Sequence, residues 1–313
     1  MLILGGLVLL AAGGELLVRG AVGLSQLLKI SPLLAGLTIV GFGTSTPELA
    51  TSVQAALGGS PGIALGNVIG SNVANILLIL GVSALIMPLA VNPASFKRDS
   101  IAMGGATLLC AGAIMLGRIE ALVGAVLVVA LAGYIWWAYR SEALAHDAEA
   151  VRHETEVADT TPQSHNVWVL AIMVVAGLAA AIFGARLLVQ GAVVLADAAG
   201  LSESVIGLTV VAVGTSLPEL IACLVAVWKK HPDVALGNVV GSNIYNVLGI
   251  LGLTAMVHPI DVPAEIARFD AWILLGVTAL LLVQLRSGWK MSRAEGALLV
   301  LLYAGYTAFL ILR

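Results

Sequence analysis

Two carboxylates stand in stretches of sequence that are otherwise apolar. Glu48 lies within Gly36-Leu-Thr-Ile-Val-Gly-Phe-Gly-Thr-Ser-Thr-Pro-Glu-Leu-Ala-Thr-Ser52, directly behind Pro47, and Glu219 closes Gly207-Leu-Thr-Val-Val-Ala-Val-Gly-Thr-Ser-Leu-Pro-Glu219. An ionisable group at membrane depth is costly and marks a functional site by default. On a helix, Thr44 and Ser45 lie four and three residues before Glu48, so two hydroxyls share its face. Thr215 and Ser216 stand in the same relation to Glu219. Pro47 and Pro218 lack an amide hydrogen, which frees the carbonyls of Gly43 and Gly214. Gly41 and Gly43 ease local unwinding. Non-helical backbone at this depth is tolerated only where it lines a cavity or is buried in protein.

A second pair of blocks supplies neutral oxygens. Asn67, Ser71 and Asn75 recur every four residues, as do Asn238, Ser242 and Asn246. Such a stripe serves either as interhelical hydrogen-bond glue or as a ligand set. Beside two buried acids, ligand duty falls to Ser71, Asn75, Ser242 and Asn246. Gly66 and Gly70, with Gly237 and Gly241, are small-residue pairs that permit close helix approach. The donors are then carboxylate, hydroxyl, amide oxygen and backbone carbonyl, with no His, Cys or Met in either motif. All-oxygen sets suit hard cations such as Ca²⁺, Na⁺, Mg²⁺ or Mn²⁺. Two carboxylates balance one divalent charge, and bare they would protonate or recruit cations. A site that occludes only when neutralised favours exchange over leak.

The elements that must position these groups are membrane spans. The chain is 60% hydrophobic and 11% charged, with a mean hydropathy of +1.04. That composition excludes a water-soluble domain, whose helices need polar faces. Ten apolar runs near the ~20 residues that cross a bilayer are expected at roughly 2–28, 31–57, 62–87, 99–117, 119–140, 167–197, 202–228, 233–258, 269–286 and 292–312. Alternate connections carry Lys29, Lys97 with Arg98, Arg140 with Arg152, Lys229 with Lys230, and Arg286 with Lys290 and Arg293. The other side has Arg118, Arg268 and Arg313. The basic side is expected in the cytoplasm, with both termini outside.

Residues 31–88 align with 202–259 without a gap, at a constant offset of 171 and with about half the positions identical. Five spans per repeat is an odd number, so the second repeat must enter the membrane from the opposite side. The expected fold is an all-α integral membrane protein of ten transmembrane helices, built as two inverted-topology five-helix repeats. Residues 1–140 form the first repeat, 141–166 an acidic cytoplasmic linker, and 167–313 the second repeat.

Other features weigh less. Glu15 and Arg19 are spaced to pair on one helix, with Arg186 in the place of Glu15 in the second repeat; a structural pair and a gating or ion-entry role both remain open. Cys110 and Cys223 sit apart in apolar segments and read as small buried hydrophobes. The first residues open straight into an apolar run, which reads as a span, not a cleaved signal. No G-x-S-x-G, no H-E-x-x-H and no histidine base at membrane depth is present, which argues against an intramembrane hydrolase.

The paired G-T-S-x-P-E and G-N-V-x-G-S-N-x-x-N blocks resemble the alpha repeats of the calcium/cation antiporter superfamily, closest to its prokaryotic sodium/calcium exchanger branch. The resemblance covers essentially the whole chain. It implies Ca²⁺ exchanged for Na⁺ across the inner (cell) membrane of a prokaryote by alternating access, with no enzyme activity and no cofactor. Ca²⁺, Na⁺ and the lipid bilayer are the implied partners, with neither nucleic acid nor an obligate protein partner. It makes Glu48 and Glu219 the central carboxylates, and Thr44, Ser45, Thr215, Ser216, Ser71 and Ser242 hydroxyl ligands. The carbonyls of Gly41 and Ala212 fall at flanking sodium sites, and Asn75 and Asn246 line the middle. Some members carry Asp where Asn246 stands, including the potassium-dependent branch, so two acids in place of three argue against potassium co-transport. Proton-coupled exchange of calcium or another divalent cation is the alternative.

Overall fold

The computed structural model describes residues 2–28, 30–91, 93–150, 166–198 and 212–312. They are almost entirely helical: α1 (Leu2–Leu28), α2 (Pro32–Thr44), α3 (Thr46–Leu57), α4 (Pro61–Ile86), α5 (Pro93–Met115), α6 (Ala121–Ala150), α7 (Val167–Ala198), α8 (Ala212–Thr215), α9 (Leu217–Trp228), α10 (Pro232–Val257), α11 (Ile266–Arg286) and α12 (Arg293–Leu312). Among them α1, α4, α7, α10, α11 and the Ala121–Ser141 part of α6 are long and apolar enough to cross a bilayer. The segment 202–211, expected to open the seventh span, lies outside the described residues, as does 151–165 of the expected linker. The first ten residues of that linker extend α6 to Ala150; Ala, Leu and Glu are good helix formers, so the helix outruns its apolar stretch.

Local chemistry sets the starts and breaks. Ser31 caps α2 by accepting from the Leu34 amide at 3.1 Å, and Pro32 takes the first helical position, where a missing amide hydrogen costs nothing. Pro47 and Pro218 then act as expected from sequence. The first motif breaks at Ser45 (φ −82°, ψ 7°), and the second at Ser216 (φ −90°, ψ 9°). Each proline thus stands in the first turn of a new helix, which carries its glutamate three positions from the break.

Helices α4 and α10 form the centre: 72% and 83% of their apolar windows are buried, against 28–33% for the other four. The halves interlock around them. Helix α6 packs on the end of α10, where a Cβ on Gly124 would meet the Gly252 carbonyl at 2.5 Å, and α12 packs on α4, where one on Gly296 would meet the Gly81 carbonyl at 2.7 Å. Helix α10 also lies against α2 so closely that side chains at Gly237 and Gly241 would strike the Leu33 and Leu37 carbonyls. For Gly66 and Gly70, the positions corresponding to Leu33 and Leu37 are 204 and 208, outside the described residues.

Two short antiparallel ribbons close the bundle. Leu89–Ala90 (β1) pairs with Lys290–Met291 (β4), and Arg118–Ile119 (β2) pairs with Ile260–Asp261 (β3). Helix α5 connects β1 to β2 and α11 connects β3 to β4, so the ribbons lie at opposite ends of these helices.

Candidate functional site

Glu48 and Glu219 are each 1% exposed. Both sit in the first turn of a helix, α3 and α9, where unpaired amides favour negative charge. The two breaks bring them across the boundary between halves. Ser45 donates to Glu219 Oε1 at 2.9 Å, and Ser216 donates to Glu48 Oε1 at 3.4 Å. Each serine therefore serves the other half's carboxylate, a relation that sequence spacing alone places within its own half.

The second motif joins the same cluster. Ser242 on α10 donates to the Gly41 carbonyl at 3.1 Å. Thr44 Oγ1 lies 3.0 Å from the Val40 carbonyl and 3.3 Å from Asn238 Oδ1. Asn75 Nδ2 donates to Asn243 Oδ1 at 3.4 Å, and Asn246 Nδ2 donates to Asn72 Oδ1 at 3.3 Å. Ser71 is buried on α4 one turn before Asn75. Thr215 is the last residue of α8 and is half-buried; Ala212 is the first residue of α8, and the chain leading to it lies outside the described residues.

Asn67 and Asn238, which spacing left open between glue and ligand, are glue. Asn67 Nδ2 donates to the Glu48 carbonyl at 3.0 Å and to Ser52 Oγ at 2.9 Å. Asn238 Nδ2 donates to the Glu219 carbonyl at 3.2 Å and to Cys223 Sγ at 3.1 Å. These amides pin the glutamate-bearing helices α3 and α9 to α4 and α10.

Seven buried side-chain polar atoms stay unsatisfied among the described residues: the Asn243 Nδ2 donor, Thr254 Oγ1, Gln284 Oε1 and four acceptors of the motifs. Glu48 Oε2, Glu219 Oε2, Asn75 Oδ1 and Asn246 Oδ1 are buried and receive no hydrogen bond among the described residues. An unpaired buried polar atom costs on the order of 1–3 kcal/mol, and more when charged. Two carboxylate oxygens and two amide oxygens of the motifs are thus left without donors. No group of three or more His, Cys, Asp and Glu placed to hold a metal ion occurs among the described residues.

Three features escaped the sequence reading. Asn72 and Asn243 belong to the same G-S-N signature but sit off the four-residue stripe. The chain widens to π-helix over Asn75–Leu80 and Tyr245–Leu251, turns that recur at functional sites; no spacing rule announces them. Glu15 pairs with Arg19 on its own helix as expected, and also with Lys229 Nζ at 2.6 Å beyond the end of α9. Arg186 is exposed on α7.

A helical bundle with apolar spans and paired buried acids defines a multi-pass membrane protein built to handle ions. The family described as sodium/calcium exchanger protein matches residues 1–140 and 169–312, and the chain belongs to it. The chain is 38% identical to the putative antiporter CaxA of Alkalimonas amylolytica, over 97% of this chain and 96% of that one. It is 31% identical to the sodium/calcium exchanger MaX1 of Methanosarcina acetivorans, over 99% of this chain and 97% of the relative. Among solved structures it resembles the sodium-calcium exchanger NCX_Mj, soaked with Na⁺ and Sr²⁺, with a TM-score of 0.82 and 30% identity over 98% of this chain and 99% of that one.

Proposed function

We propose that this chain is a secondary antiporter exchanging Ca²⁺ for Na⁺ across a prokaryotic cell membrane by alternating access. The ions are held by Glu48 and Glu219, with Ser45, Ser216, Thr44, Thr215, Ser71, Ser242, Asn75, Asn246 and the carbonyls of Gly41 and Ala212 around them. The observation that carries this reading is the set of four buried, donorless oxygens from both halves. An acceptor-only set of two acids and two amides matches a hard divalent ion in charge and ligand type. Because the site draws on both halves, a relative movement of the halves opens it to one side at a time.

Ten spans in two inverted repeats, at 1–140 and 167–313 with 141–166 between them, account for the reciprocity. Ser45 with Glu219 and Ser216 with Glu48, Asn75 with Asn243 and Asn246 with Asn72, are pairs exchanged by the 171-residue offset. Such self-complementary pairing is what a two-fold relation between halves produces. Ten spans also put β1 and β4 on one side and β2 and β3 on the other, in keeping with the observed ribbons. Both termini then lie outside, opposite the basic loops.

The test is Ca²⁺ uptake into proteoliposomes under imposed Na⁺, K⁺ and H⁺ gradients. Uptake is expected only with sodium inside, and is expected to vanish in Glu48→Gln and in Glu219→Gln. Uptake driven equally by a proton gradient would move the reading to proton-coupled exchange. Flux needing no counter-ion would make the protein a channel.

A further inference from the structure

Asn75 and Asn246 face a choice that a carboxylate does not. An amide presents either an oxygen or an NH₂ to its surroundings, and only the oxygen can meet a cation. In each case a second asparagine from the opposite half accepts from that NH₂ group, while Asn243 Nδ2 itself finds no partner among the described residues. Asn243 Oδ1 accepts from Asn75 Nδ2 at 3.4 Å, and Asn72 Oδ1 accepts from Asn246 Nδ2 at 3.3 Å. With their nitrogens engaged, Asn75 and Asn246 are left with donorless oxygens, alongside Glu48 Oε2 and Glu219 Oε2. All four asparagines are buried, at 0–3% exposure. Reversing either amide would put an NH₂ group where its donorless oxygen stands, and a donor repels a cation.

We infer that Asn72 and Asn243 are positioning residues, each holding the other half's asparagine with its amide oxygen turned to the transported cation. This rests on the reading of Glu48 and Glu219 as the cation site. Neither positioning residue supplies a ligand atom; each acts through its partner, as outer partners of metal ligands do. Because each bond crosses between α4 and α10, each half's ligand oxygen is oriented only while the two central helices stay in register.

The test is a double-substitution cycle read as Ca²⁺ half-saturation and maximal rate in proteoliposomes. Asn243→Leu removes the acceptor at nearly constant volume and should raise half-saturation by ~10-fold or more, with the maximal rate much less affected. Asn75→Asp offers an oxygen in either orientation, so Asn243→Leu added to it should change half-saturation by less than about twofold. A purely structural asparagine would cost the same in both backgrounds, and that result overturns the inference. So does an unchanged half-saturation in Asn243→Leu. If Asn243→Leu does not fold, Asn72→Leu with Asn246→Asp runs the same cycle from the other half and decides in its place. Glu48→Gln and Glu219→Gln are measured alongside. Their retaining full transport would remove the underlying site, whereas their failing while the asparagine cycle is additive removes only the positioning role.

Discussion

Ser45 and Glu219 stand 174 positions apart, yet Ser45 Oγ donates to Glu219 Oε1 at 2.9 Å. The counterpart bond, Ser216 to Glu48, is longer at 3.4 Å. Two bonds that swap halves make the carboxylates interdependent: neither glutamate is fixed by its own repeat alone.

Removing either hydroxyl frees a carboxylate oxygen and deletes a candidate ligand. A hydrogen bond to a charged group contributes about 1.5–3 kcal/mol, which corresponds to roughly a tenfold or larger change in affinity. Ser45→Ala should therefore raise the Ca²⁺ half-saturation by about that factor. Ser216→Ala should do less, since its bond is longer. Equal effects, or none, in a proteoliposome uptake titration would contradict the observed asymmetry.

Protons compete with cations for the same oxygens. A protonated carboxylate carries no charge and offers a donor where an acceptor is needed, so acid weakens cation binding. Uptake at fixed, subsaturating Ca²⁺ should fall as the pH drops from about 8 to about 5, and added Ca²⁺ should restore it. A flux indifferent to pH across that range would sink the prediction.

Close helix approach should be visible as intolerance to one methyl group. At Gly241 an added Cβ would fall on the Leu37 carbonyl, and at Gly237 it would meet Leu37 N at 2.9 Å and the Leu33 carbonyl more closely still. Backbone cannot yield as a side-chain tip does, so Gly241→Ala should cost at least about 1–3 kcal/mol. At Gly112 an added Cβ meets nothing within 4 Å, and Gly112→Ala should be nearly silent. Thermal melting in detergent compares the two; similar melting points would refute the packing.

The turn between α9 and α10 carries a backbone cost that its repeat counterpart avoids. Lys230 adopts φ +62°, and the position 171 residues earlier is Gly59 at φ +75°. A left-handed conformation costs an L-residue roughly 1–2 kcal/mol, while glycine's extra freedom when unfolded returns about 0.4–1 kcal/mol of that. Lys230→Gly should raise the melting temperature slightly, and Gly59→Lys should lower it. The reverse order would rule out the strain.

The composition and hydropathy were sufficient to determine the helical membrane class and the places of the six long apolar helices. Hydropathy and proline act locally, and local effects survive without tertiary context: Ser45 and Ser216 mark breaks where Pro47 and Pro218 predict them. Span edges drifted where charge and helix propensity disagree, as at Lys97 and Arg98, which stand inside α5, and at residues 141–150, which continue α6. Only the tertiary structure decided partners. That Ser45 serves Glu219 and not Glu48, that Asn75 donates to Asn243, and that Lys229 reaches Glu15 all follow from how the two halves interlock. Sequence spacing carries information along one helix. The asparagine contacts across 168 and 174 residues are set by which faces of α4 and α10 meet, and burial of the whole bundle fixes that choice.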